Sequence, residues 1–307
     1  MLADIDEAVY GIQKKRTFWE VLTSEKYFRW TLIIPLLLTL GIFMFYPLFY
    51  CLYYSTADYA LVKPPVFIGW DNFRYVLHDG LFWGALGRTF KVLIISIAVE
   101  LTLGMVLALL WQRKFRGENA IRALCLLPLL VSPLAMSLMW NYIFQYDYGV
   151  VNLVLHGLNL GKVQFFDARW ALYTITFMTI WQWTPFSIFV FLAGMRSLPR
   201  DAFEAARVDG ASAWYTFRRI TLPMLMPLAM IIILLRTMWL IRLFDPLYGT
   251  TQGGSNTELL DFYIYRIAFT FFDIGKGSTL ALISLFLTII LCAILFRYLI
   301  KAMGVIK

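Results

Sequence analysis

Six long apolar runs constrain this chain more than anything else in it. Residues 30–50, 123–144, 170–195 and 278–296 contain no charged side chain, and two further runs carry one each: Glu100 within 92–111 and Arg236 within 222–240. Each run reaches or approaches the roughly 20 residues a helix needs to cross a hydrocarbon core. Lipid offers backbone amides no partner, so such runs must be helical, and six of them predict an all-α integral membrane protein. The composition agrees: 61% of residues are hydrophobic and 15% charged, outside the range of soluble domains.

Orientation follows from where the cations fall. Of 27 Lys and Arg residues, 17 lie in the N-terminal segment, the 111–122 loop, the 196–219 loop and the C-terminus. That richer side is expected to face the cytoplasm, with both termini there, in a bacterial or archaeal inner membrane. The net charge of +8 then reflects cations beside anionic lipid and needs no nucleic acid to explain it. Three divisions are expected: a cytoplasmic segment 1–28, a six-helix domain 29–301 that includes a loop at 196–223, and a cytoplasmic tail 302–307. Phe18, Trp19, Val21 and Leu22 can form the apolar side of a helix on the inner surface, or sit in a partly disordered tail. The N-terminus is too acidic, and its first apolar run too long and too late, for a cleaved signal peptide. No internal repeat divides the chain.

One polar interruption has a design of its own: Glu204-Ala-Ala-Arg-Val-Asp-Gly-Ala-Ser212, running on to Ile220-Thr-Leu-Pro223. Ser197 can cap a short helix with Pro199 in its first turn, Asp201 and Glu204 near its positive end, and Gly210 as its stop. A second short helix is expected over 212–219, after which Pro223 can open the next span. Ala202, Phe203, Ala206, Trp214 and Phe217 have too few local partners to be buried, so the pair reads as a helical knob shaped for a groove on another subunit.

This segment resembles the EAA loop of ABC importer permeases, and the resemblance does not rest on it alone. Phe67-Ile-Gly-Trp-Asp-Asn-Phe73, Leu103-Gly-Met-Val-Leu-Ala108, Trp181-Gln-Trp-Thr-Pro-Phe186, Phe244-Asp245 and Gly253-Gly254 followed by Thr257-Glu258 match, in order, the maltose-transporter-type sugar permeases. The likeness runs from about Arg29 to the C-terminus; Ser255 departs from it, standing where many relatives have Pro. It implies the type I importer permease fold, with the EAA loop as cytoplasmic coupling helices. It also implies three kinds of partner: an ABC ATPase dimer, a second related permease and an extracytoplasmic sugar-binding protein. Glu204, Ala205, Ala206, Arg207, Asp209 and Gly210 would then be the ATPase-coupling residues, with Glu204 and Arg207 giving polar contacts and the alanines allowing close approach. ATPase closure would move 199–219 as a rigid body and open the pore outward.

The chain lacks chemistry of its own. Gly275-Lys276-Gly277-Ser278 fails as a phosphate loop, because its first Gly is missing and Lys is followed by Gly. No metalloprotease or nucleophile-elbow motif occurs. No catalytic residue, metal or cofactor is therefore assigned to this chain, and ATP and Mg are expected on the partner ATPase. Cys51, Cys125 and Cys292 lack metal spacing and read as packing residues, and His78 and His156 are isolated.

A polar solute needs hydrogen-bond partners near the midplane and, if it is a sugar, aromatic faces for its C–H surfaces. On the fourth span Thr179, Gln182, Trp183 and Phe186 share a helical face, as do Arg236, Trp239, Leu240 and Leu243 on the fifth. These match positions that line the sugar site in the resembling family and form the candidate substrate set. Arg236 must have a partner at that depth. Glu100, an acid on the companion permease, and a uronate, sulfonate or phosphate of the substrate are the candidates. Arg242 and Asp245, three apart, are expected to pair locally. The leading reading is a sugar-importer permease; an importer permease for glyceryl phosphate or another solute is the alternative. An ion-coupled secondary transporter is disfavoured, because Glu100 is the one acid well inside a span and no repeat is visible.

Overall fold

A computed structural model describes residues 25–61, 63–112 and 116–303. The surface helix considered at 18–22 and the tail beyond Met303 lie outside the described residues. The chain divides into two compact units, 1–53 and 54–307.

The first unit holds α1 (Glu25–Leu40), a π-helical turn (Gly41–Phe45) and most of α2 (Tyr46–Ser55), apolar along Ile33–Ser55 for 23 residues. Pro35 sits inside α1, where the Thr39 hydroxyl donates to its carbonyl at 2.8 Å.

The second unit begins with a two-stranded hairpin, β1 (Ala57–Asp58) antiparallel to β2 (Val66–Phe67), and the short helix α3 (Asp71–His78). Buried Asn72 donates to the carbonyls of Ser55 and Ala57 at 3.1 and 2.8 Å, which fastens α3 to the hairpin. Long apolar helices follow, α4 (Gly80–Leu110), α8 (Ala171–Ser197), α11 (Leu222–Ile241) and α14 (Ile274–Ala302), with the short helices α7 (Val150–Gly157) before α8 and α12 (Asp245–Tyr248) after α11. With Ile33–Ser55 they make five unbroken spans by length and composition among the described residues.

The run 123–144, expected to be the sixth span, is a bent pair of helices, and counted as one broken span it brings the total to six. α5 (Glu118–Leu130) and α6 (Pro133–Ile143) meet at 101°. Pro133 has no N–H to give and forces Ser132 out of the helical region, to ψ 143°, while the Ser132 hydroxyl accepts from Ala135 N at 3.3 Å as a new N-cap. Two helices therefore form where apolar length alone suggests one.

Packing in the bilayer cannot draw on water exclusion between helices and depends on close fit. α4 and α8 make that fit at Gly104: a Cβ there would lie 2.6 Å from the Ser187 Cβ. Around this contact Met105, Ala108, Ile188, Phe191, Leu192 and Leu225 form a buried apolar cluster shared by α4, α8 and α11. A second cluster, nearer the other end, joins Val92, Ile97, Ile175, Leu240 and Leu247.

Candidate functional site

Two places carry the residues singled out above: the knob at 199–219 and a polar cluster inside the helix bundle.

In the knob, α9 (Arg200–Val208) starts from Pro199 rather than from a Ser197 cap. Ser197 ends α8, its hydroxyl donating to the Gly194 carbonyl at 2.8 Å, because Leu198 and Pro199 are extended. Gly210 closes α9 as expected, at φ +73°, and Ala211 N reaches back to the Ala206 carbonyl at 2.9 Å. The Ser212 hydroxyl then accepts from Tyr215 N at 3.2 Å and caps α10 (Ala213–Thr216). This second helix does not end before the span. It runs through a π-helical turn (Phe217–Thr221) directly into α11, giving one apolar helix of 29 residues, Ala213–Ile241. Pro223, inside this continuous helix, has no N–H to give to the preceding turn, and the π-helical turn lies directly before it.

Ala206 is buried under the knob, whereas Glu204, Ala205, Arg207, Asp209 and Gly210 are exposed. A concavity of about 740 Å³ is lined by Ala202, Ala205, Ala206, Asp209, Gly210 and Tyr215, among others. Glu204 and Arg207 form no ion pair among the described residues. Their charges, with the outward Val208 and Trp214, are presented at the surface.

Within the bundle, Arg236 of α11 meets Glu100 of α4 edge to edge. Nε donates to Oε2 at 2.6 Å and Nη2 to Oε1 at 2.7 Å, and the two side chains are 1% and 0% exposed. The guanidinium also lies over the Trp183 ring of α8, 4.6 Å from its centroid. Trp183 in turn packs on Trp239 at 5.3 Å and edge-on to Phe186 at 6.2 Å. Three helices thus converge on one ion pair backed by aromatics. Of this group Trp239 reaches the surface most, at 57% exposure.

The other four members of the candidate set face elsewhere. The Thr179 hydroxyl donates to the Ile175 carbonyl of its own helix. Gln182 Nε2 donates to the Val131 carbonyl at 2.8 Å, a free acceptor at the break between α5 and α6. Leu240 is buried in the second apolar cluster, and Leu243 packs against it. A stripe at i, i+3, i+4 and i+7 is wide enough that its edges meet different neighbours. Sequence spacing identified Trp183 and Arg236 separately but held no sign that their side chains stack.

Arg242 and Asp245 form no ion pair among the described residues. α11 stops at Ile241, and Phe244 at φ −123°, ψ −56° breaks the turn that would have aligned them. Arg242 instead acts on Asp261, whose carboxyl burial pushes above its usual range while Arg242 partly opposes the shift. His78 Nδ1 donates to the Arg74 carbonyl at 2.8 Å. Among the described residues no cluster of His, Cys, Asp or Glu could hold a metal ion.

The chain is similar to several known proteins. The trehalose/maltose transport system permease protein MalF of Thermococcus litoralis is 30% identical over 280 residues, covering 87% of this chain and 94% of that protein. The sulfoquinovosyl glycerol transport system permease protein SmoG of Agrobacterium fabrum is 32% identical over 271 residues, covering 87% and 88%. Among solved structures, a bacterial ABC transporter that imports the acidic polysaccharide alginate has a chain matching with a TM-score of 0.77 over 92% of this chain and 98% of that one. At 20% identity it speaks for the fold alone. Residues 100–303, which hold Glu100, the knob, Arg236 and both tryptophans, match the family described as binding-protein-dependent transport system inner membrane component, and the chain belongs to that family of multi-pass ABC permeases.

Proposed function

We propose that this chain forms half of the translocation pore of an ATP-driven importer for a sugar or sugar derivative. A partner ABC ATPase dimer, which binds the ATP and Mg, drives it through the knob, and a second permease completes the pore. The observation that carries this reading is the continuous helix Ala213–Ile241, which has the knob at one end and Arg236 and Trp239 near the other. Twenty-nine helical residues span about 43 Å. A push on the knob therefore has a direct mechanical route to the cluster, with no loop between to absorb it.

Glu204, Arg207 and Asp209 offer polar contacts to the ATPase, and the small surface of Ala205, Ala206 and Gly210 lets it approach closely. The excess of Lys and Arg on the knob side supports a cytoplasmic knob and cytoplasmic termini. The sugar assignment draws on the relatives that transport trehalose or maltose and sulfoquinovosyl glycerol, and on the exposed Trp239 face. Aromatic faces suit the C–H surfaces of pyranose rings, so Trp183, Phe186 and Trp239 are the proposed contacts. Thr179, Gln182, Leu240 and Leu243 would support them from behind. An extracytoplasmic binding protein would deliver the solute to the opposite end.

The test is Glu204→Ala and Gly210→Val in the complete transporter. Both are expected to lower substrate-stimulated ATPase activity at least tenfold, or to release the ATPase on gel filtration. Wild-type assembly and stimulation in both variants would remove the coupling assignment.

A further inference from the structure

Resting on the sugar-importer reading above, we infer that the intramembrane site selects uncharged glycoside surface and that Glu100 makes it so, as a positioning residue that masks the charge of Arg236.

A buried arginine beside a solute pathway ordinarily suggests an anion site, because the guanidinium edge matches a carboxylate, sulfonate or phosphate. Here that edge is taken. The Nε–Nη2 side of Arg236 is bound by both oxygens of Glu100, so a substrate anion could take that edge only by displacing a carboxylate fixed in place by its own helix. The pair carries no net charge, and in a low-dielectric interior a compensated pair projects a far weaker field than a lone cation. No second cation replaces it: the apolar stretches 92–111, 170–195 and 222–240 contain no Lys or Arg besides Arg236.

The surface in front of the pair is aromatic. Arg236 lies under the Trp183 ring, Trp183 leans on Trp239, and Trp239 is the open face of the stack. Glu100 thereby does two things. It cancels the positive charge, and by orienting the guanidinium it holds Trp183 in the position that braces Trp239. What remains for a solute is flat, uncharged and matched to sugar C–H surface.

The first measurement is mass spectrometry of the molecule retained by the cognate binding protein. An uncharged glycoside is expected; a uronate, sulfonate or phosphate overturns the inference. A cargo that is not a saccharide overturns the sugar reading itself, and this inference falls with it.

The second measures equilibrium binding of that glycoside, radiolabelled, to the complete transporter in nanodiscs without binding protein, with digalacturonate as competitor. In the wild type digalacturonate should not compete. Trp239→Ala should weaken glycoside binding at least tenfold. Glu100→Asp, which keeps the charge, should stay within about threefold of wild type. Glu100→Gln, which unmasks Arg236, should weaken glycoside binding and let digalacturonate compete. An assembled Glu100→Gln transporter that gains no competition overturns the inference, since loss of packing alone would not change charge preference. Should Glu100→Gln fail to assemble, the exposed Trp239→Ala decides: unchanged binding there overturns it.

Discussion

Two charges face each other across 136 positions of sequence, and neither is tolerable at that depth alone. Removing one partner of a buried pair leaves the other uncompensated, which costs about 3–5 kcal/mol, whereas replacing both by apolar groups of similar volume is often neutral. Glu100→Ala should therefore lower the thermal midpoint of the purified complex markedly. Glu100→Met combined with Arg236→Met should recover most of that loss, as read by scanning fluorimetry in detergent. A double variant no more stable than Glu100→Ala would mean that the pair is worth more than its desolvation cost. The sequence makes the need for a partner legible, because Arg236, between Leu235 and Thr237, lies in the run 222–240, which contains no acid. It does not say which acid, since helix register fixes faces within one element and not between elements. The Trp183 stack was hidden for the same reason.

Elements show a similar division between what local chemistry signals and what contacts decide. Gly210 ended its helix where a left-handed residue was needed, and Ser212 capped the next, both readable from residue type alone. The 101° bend between α5 and α6 was not read from apolar length, which measures thickness and not direction, although Pro133 after Ser132 was the signal for it. The segment that follows α11 makes a further point. Glu258 is buried, accepts from Arg266 Nη2 at 2.8 Å, and offers its main-chain carbonyl to Arg88 Nε at 2.8 Å. Burial nevertheless pushes the carboxyls of both Glu258 and Asp261 above their usual range, with Arg266 and Arg242 respectively opposing the shift. A carboxyl whose folded pKa is raised favours folding most when protonated, and that contribution is lost as pH rises through the folded value. Hydrogen exchange, corrected for intrinsic rates, should show stronger protection of α13 (Leu260–Tyr265) at pH 5 than at pH 7.5. Asp261→Asn should flatten that difference. Stronger protection at the higher pH would mean that the arginines outweigh burial.

For the whole molecule, the question is whether work done on the knob reaches the pathway undiminished. The helix Ala213–Ile241 contains three places where it could yield: the π-helical turn Phe217–Thr221, Pro223 and Pro227. Both prolines lie inside the continuous helix and each leaves one intrahelical bond unmade, Pro223 directly after the π-helical turn and Pro227 one turn further on. Against yielding stands the packing of Leu225 and Ile232, both buried in the cluster shared with α4 and α8, and the Arg236 anchor beyond them. A helix held at several points along its length should transmit a displacement as a rod. Spin labels at Trp214 and Met238, both exposed, stand 24 residues apart, or about 36 Å along a straight helix. Pulsed dipolar measurements on the complete transporter should return that separation with and without ATP, constant within about 3 Å. Over the same change, the distance from Met238 to its counterpart on the second permease should shift by several ångströms. If the 214–238 distance itself changes by a helical turn, about 5.4 Å, the rod is a hinge at Pro227. Coupling would then pass through the α4–α8 contact at Gly104 instead.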